Sequence, residues 1–127
     1  MIPLTTDDLT ATITDMYRSL GDRAAFDAHL HPDLTIWESD ADTLLTGLAA
    51  LDDLRDRRAA RPPAASPVAV APEQLRAVAW GDTGLVHYVL RARHDGDHPD
   101  ECFRVTDVLR REGDTWRIVH HHAEAVR

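Results

Sequence analysis

The sequence predicts a single α+β domain in which helices come first and strands follow. Three observations carry that expectation. Apolar residues recur at helical spacing through the first third of the chain, and strand-like alternation takes over after Pro67. Short acid–glycine turns separate the later segments, as in an antiparallel meander. The length, 127 residues, suits one compact unit spanning 1–127. Helices and strands segregated along the chain indicate α+β rather than alternating α/β.

Each element has a local reason. Thr5 or Thr6 caps a first helix, and Asp7 and Asp8 suit its N-terminal turn. Leu9, Ile13, Met16 and Leu20 form its apolar stripe, and Gly21 stops it. A shorter helix over 22–30 must end before Pro32. Residues 33–38, DLTIWE, read as a strand, and 39–43 as a polar turn. Thr46-Gly47 opens a helix running to about Arg58, with Leu48, Leu51 and Leu54 inward and Arg55, Arg57 and Arg58 outward. The segment RPPAASP, 61–67, is a connector. Val68 and Val70 begin a strand that continues or restarts past Pro72, over 75–80. Three long strands follow over 85–93, 101–111 and 115–124, joined by the loop HDGDHPD and the turn Glu112-Gly113-Asp114.

Charge narrows the function classes. There are 14 basic and 22 acidic residues, a net charge of −8, and every basic residue is arginine. Such a surface repels nucleic-acid backbones and anionic lipids, so neither nucleic acid nor membrane is an expected partner. No apolar run is long enough to span a bilayer. The N-terminus lacks the basic start and apolar stretch of a signal peptide. A lone Cys102 forms no internal disulfide. A cytoplasmic location is expected.

Alternation divides each long strand into two faces. Val86, Tyr88, Leu90 and Ala92 oppose His87, Val89, Arg91 and Arg93. Phe103, Val105, Asp107 and Leu109 oppose Cys102, Arg104, Thr106 and Val108. Arg117, Val119, His121 and Ala123 oppose Trp116, Ile118, His120 and His122. Apolar residues occur on both sides, so both faces are expected to be covered, one by helices and one by a partner subunit.

The stretch FRVTDVLRREGDTWRIVHHHAE, with Asp33-x-x-x-Trp37, Gly47 before a helix and Gly81-Asp82 before a strand, resembles the nuclear transport factor 2-like superfamily. It is similar in particular to the SnoaL-like and ketosteroid-isomerase-like group and to the association domain of calmodulin-dependent protein kinase. The resemblance implies a cystatin-like cone: a curved antiparallel sheet wrapped around the N-terminal helices, with a pocket between them. It also implies a homodimer formed through the outer sheet face. Scaffolds of this kind host many activities, so the site must decide function.

Placed on that scaffold, Arg91 and Asp107 are expected to face the pocket, with His87 and His121 beside them. They read either as an acid–base site or as a buried ion pair that satisfies itself. Asp107, Glu38 and His121 are the catalytic candidates. Arg91, Trp37, His87 and Tyr17 are the ligand-binding candidates. Glu38 reads as a general base near the mouth of the cone or as a solvated strand-end acid. Tyr17 and Tyr88 either bond a substrate oxygen or complete the core.

Other residues carry less. In the run His120-His121-His122 only the first and last share a face, and His87 lies on the other by parity, so no metal and no cofactor are expected. HDGDHPD lacks the spaced acids of a calcium loop and reads as a solvated hairpin. Cys102 has no evident base partner. Arg55, Arg57, Arg58 and Arg61 read as a solvated helix face paired with Asp52, Asp53 and Asp56. The expected function is proton-transfer chemistry on a small, partly apolar molecule: isomerisation, cyclisation or dehydration. The alternative is a non-catalytic ligand-binding or assembly module.

Overall fold

The computed structural model describes residues 6–61 and 67–126. Thr5, one of the two expected caps, and the connector residues 62–66 lie outside the described residues. Helix α1 (Thr6–Arg18) carries Asp7 and Asp8 in its first turn and Arg18 in its last, charges that complement the helix dipole. It buries Leu9, Ile13, Met16 and Tyr17. Leu20, expected at the end of that stripe, lies beyond the helix and is half exposed. Gly21, at φ +98°, makes the turn that ends the helix. Asp22 then accepts a hydrogen bond from the Ala25 N–H and caps α2 (Arg23–Asp27).

Helix α2 is shorter than its sequence suggests, because strand β1 (Leu30–Trp37) starts two residues before Pro32. The β1 register shifts between Leu30 and Thr35, which is where Pro32 sits without an N–H to donate. A two-residue strand β2 (Leu45–Thr46), absent from the sequence reading, pairs with β1. Helix α3 (Gly47–Ala59) follows and buries Leu51 and Leu54. Strands β3 (Ala69–Trp80), β4 (Thr83–Arg93), β5 (Glu101–Glu112) and β6 (Thr115–Ala125) form the expected meander. Pro72 is tolerated inside β3 because β3 is an edge strand.

The six strands form one curved, unclosed sheet in the order β2-β1-β6-β5-β4-β3. Every neighbouring pair is antiparallel except β1 and β6, which run parallel. The helices cover one face, and the core lies between: Leu9, Ile13, Leu34, Leu54, Val86, Leu109 and Ile118 are almost fully buried. Gly84 sets the close approach of α1 to β4. A Cβ there would lie 2.6 Å from a Leu9 methyl, and Leu9 has no free space to yield.

One irregularity positions the site. Val108 pairs with His120 and Leu109 with Ile118, so Val119 is an extra residue in β6. This bulge reverses the alternation. Trp116 and Ile118 before it and Ala123 after it are all buried, and His121 shares their face.

Candidate functional site

A cavity of about 550 Å³ opens between the helices and the sheet. Its walls are mainly apolar, with Met16, Leu30, Leu34, Ile36, Phe103 and Ile118 among them. Polar groups converge from one side. Tyr17 comes from α1, Glu38 from the end of β1, Arg58 from α3 and His121 from β6.

These groups belong to one hydrogen-bonded chain. Asp107 is completely buried. Its Oδ2 accepts from the Tyr88 hydroxyl at 2.6 Å, and its Oδ1 lies 2.5 Å from His121 Nδ1. The Tyr17 and Tyr88 hydroxyls are 2.8 Å apart. Since Tyr88 gives its single proton to Asp107, Tyr17 is the donor to Tyr88. On the other side, His121 Nε2 lies 3.4 Å from Glu38 Oε1, and the Arg58 guanidinium lies 3.3 Å from Glu38 Oε2. Arg58 also donates twice to Asp40, at 2.8 and 2.9 Å, and Arg61 donates to Asp40 at 3.1 Å.

Burial and charge set the protonation states. Burial by itself lowers the basicity of His121. The Asp107 charge and hydrogen bond, reinforced by Glu38, override it and push the imidazole up to about 10. His121 is therefore a cation at neutral pH, with one N–H on Asp107 and the other directed at Glu38. Tyr17 and Tyr88 are raised well above the usual phenol value, chiefly by burial. The Arg58 hydrogen bond holds Asp40 down at about 2. Three carboxylates (Asp107, Glu38, Asp40) balance three cations (His121, Arg58, Arg61). This network of six groups has no excess charge to offer a strongly ionic ligand.

Comparison with known proteins gives the fold its family. A sequence model of the SnoaL-like domain matches residues 8–125. The chain belongs to the SnoaL-like family. No curated protein sequence matches it. Among solved structures, the CaMKII hub of S. rosetta superposes with a TM-score of 0.82 at 20% identity, covering 98% of this chain and 100% of the hub. An NTF2-like protein of unknown function from Pseudomonas putida superposes with a TM-score of 0.80 at 21% identity, covering 95% and 86%. A candidate ketosteroid isomerase from Shewanella frigidimarina reaches 0.70 at 18% identity, covering 90% and 92%. At such identities the likeness is one of fold, and the fold is the cystatin-like, NTF2-like cone.

The SnoaL-like domain brings together four of the residues singled out in the sequence: Asp107, His121, Glu38 and Tyr17. Asp107 has no exposed surface, and both its oxygens are engaged within the protein. Its links to the cavity run through His121 and, by way of Tyr88, through Tyr17. The other three candidates are corrected. Arg91 and His87 lie on the outer face, because Asp107 pairs with Val86, and an odd number of positions separates Val86 from either. Arg91 pairs instead with Glu73 at 3.0 Å and Asp100 at 3.8 Å. The expected Arg91–Asp107 ion pair does not form. Trp37 also faces outward, between the inward Ile36 and Glu38, and is 43% exposed.

The bulge corrects two further parities. Trp116 and Ile118 leave the face of His120 and His122, which His87 joins, since His87 and His122 both pair with Thr106. The sequence reading missed Arg58 and Asp40 as site residues. The sequence reads Arg58 as part of a solvated helix face, yet it bonds Asp40 and Glu38. A signal was present: Arg58 follows Leu51 by seven residues and Leu54 by four, so it shares the buried stripe of α3. Arg55 does pair with Asp52 as expected, and also with Asp27 at 2.6 Å.

Proposed function

We propose that this SnoaL-like domain binds a small, partly apolar molecule and moves a proton on it, with Glu38 as base and His121 as hydrogen-bond donor to the developing oxyanion. The observation that carries this reading is the cationic His121, held by buried Asp107 and presented to an apolar cavity beside a carboxylate. A carbon acid next to a carbonyl fits that pair. Glu38 takes the proton from carbon, the electron pair moves onto the carbonyl oxygen, and the His121 N–H stabilises the resulting charge. Returning the proton to another carbon is isomerisation. Expelling a β-substituent instead is dehydration or elimination. Asp107 acts as a positioning residue that fixes the imidazole and keeps it charged. The resemblance to a candidate ketosteroid isomerase is consistent with this class.

The test is carbon-bound hydrogen exchange in D2O across a panel of cyclic and linear ketones. The wild type is expected to accelerate exchange next to the carbonyl for at least one ketone. Glu38→Gln is expected to slow it on the order of 100-fold. No acceleration by the wild type, or wild-type rates in Glu38→Gln and His121→Gln, overturns the reading.

A second reading rests on a different observation. The outer sheet face exposes Trp37 and Trp80, the latter 62% exposed, beside Val78. The likeness to two CaMKII hubs supports self-assembly, which we place at this face as a cytoplasmic homodimer without nucleic acid or membrane partners. Trp37→Arg with Trp80→Arg is expected to give monomers in sedimentation velocity. An unchanged sedimentation coefficient rejects that interface.

A further inference from the structure

We propose that the loop joining β4 to β5 holds a divalent transition-metal ion of the zinc type, ligated by His94, His98 and Glu101. One donor atom from each lies within 4.8 Å of the other two. No other described part of the chain brings three such groups so close. The two imidazoles stack with centroids 4.0 Å apart and an interplanar angle of 29°. His94 Nε2 is 2.8 Å from Glu101 Oε1. The His98 Nδ1 proton is given to the Pro99 carbonyl at 2.9 Å, which leaves the Nε2 lone pair free.

His94 is the buried member of the cluster. Its side chain is only 1% exposed, although the loop around it is open to solvent. Its Nδ1 is buried with no hydrogen-bond partner. A buried imidazole with an orphaned nitrogen costs desolvation that nothing in the protein returns. The nitrogen that faces Glu101 is Nε2, so an ion held by His94, His98 and Glu101 would be bound there in place of that hydrogen bond. The loop is also anionic, with Asp95, Asp97 and Asp100 beside Glu101, which favours a cation electrostatically.

Two imidazoles and one carboxylate select the borderline metals, zinc foremost, over calcium or magnesium. Three protein ligands leave a fourth position for water. Glu101 also lines the cavity, so the ion would sit at the cavity rim and fasten the hairpin there. The site is independent of the proton-transfer chemistry proposed for His121 and Glu38. The sequence alone suggested a solvated hairpin because HDGDHPD lacks calcium-loop spacing. It does not show that Glu101, one residue past that segment, folds back onto His94.

The experiment is calorimetric titration of tag-free, chelator-stripped protein with zinc chloride, paired with thermal unfolding. One ion per chain and a rise in Tm on adding zinc are expected. His98→Ala and Glu101→Gln, both at exposed residues, are each expected to weaken binding at least ten-fold while leaving the metal-free Tm unchanged. The double variant His120→Ala with His122→Ala is expected to bind zinc like the wild type. The proposal is overturned by absent or non-saturating binding, by unchanged affinity in His98→Ala and Glu101→Gln, or by loss of binding in the outer-face double variant.

Discussion

His120 and His121 are neighbours in sequence and face opposite sides of the sheet, and their basicities move in opposite directions. His120 lies on the outer face, bonded to the Thr35 hydroxyl at 2.7 Å. Partial burial and the adjacent His121 and His122 lower its basicity. His121 lies on the cavity face between Asp107 and Glu38 and is raised to about 10. The residue type is the same, so its surroundings decide the chemistry. A buried carboxylate on a low-dielectric face outweighs the burial penalty of the imidazolium, while a half-exposed face gives its histidine no such counter-ion. The same division separates Asp107, with no exposed surface, from the arginines of the outer face.

Substitutions on the two faces test that contrast. The largest effect is expected from Asp107→Asn, which leaves His121 buried without its main counter-charge. Breaking a buried pair costs about 3–5 kcal/mol, so urea unfolding should show a loss of that order. The His121 ring protons should titrate at lower pH in the variant by NMR. A loss below ~1 kcal/mol would mean that the pair behaves like a surface ion pair.

The pH dependence comes next. The folded His121 value of about 10 lies above its ordinary 6.5. The folded state therefore holds its proton more tightly than the unfolded chain. The stabilisation is complete below about pH 6.5 and is lost as pH rises through about 10. Urea midpoints should fall steadily across that window, and His121→Gln should flatten the slope. A wild-type profile that is flat or rises over this range contradicts the assignment.

A smaller effect is expected for Tyr88→Phe. It removes the donor to Asp107 and the acceptor for Tyr17 but keeps the ring packing. A loss of about 1–3 kcal/mol fits a buried acceptor left short of one bond. The smallest effects belong to the outer face: Arg91→Ala and His87→Ala should each change stability by less than ~0.5 kcal/mol. A large loss from either would show that the outer face is structurally bound to the core after all.

Local pattern carried the sequence reading where local pattern decides structure. The α1 stripe, Gly21, the proline-rich connector and the acid–glycine turns are effects of a few adjacent residues, so they are legible in one dimension. They yield the order of elements, and with the resemblance they yield the cone. Tyr17, Glu38, His121 and Asp107 are legible as site candidates only with that resemblance added, and their contacts are not legible at all. Arg58 is legible in its seven-residue offset to Leu51, but a charge on a helix usually faces water, so composition alone points it outward.

Tertiary structure decided the faces. Strict alternation holds only while the ladder is regular, and the single extra residue Val119 reverses it within β6. No propensity marks that bulge, because it is set by how β6 must bend to pair with β5 while burying Trp116 and Ile118 on the same side as Ala123. Cross-strand pairing likewise sent Arg91 outward, since Asp107 can share a face only with residues an even number of positions from Val86. The sequence by itself determined which side chains exist to do chemistry and on which elements they ride. Folding determined which of them are buried together, and it is the buried Asp107 carboxylate beside His121, against the penalty of burial itself, that turns an ordinary histidine into a cation at neutral pH.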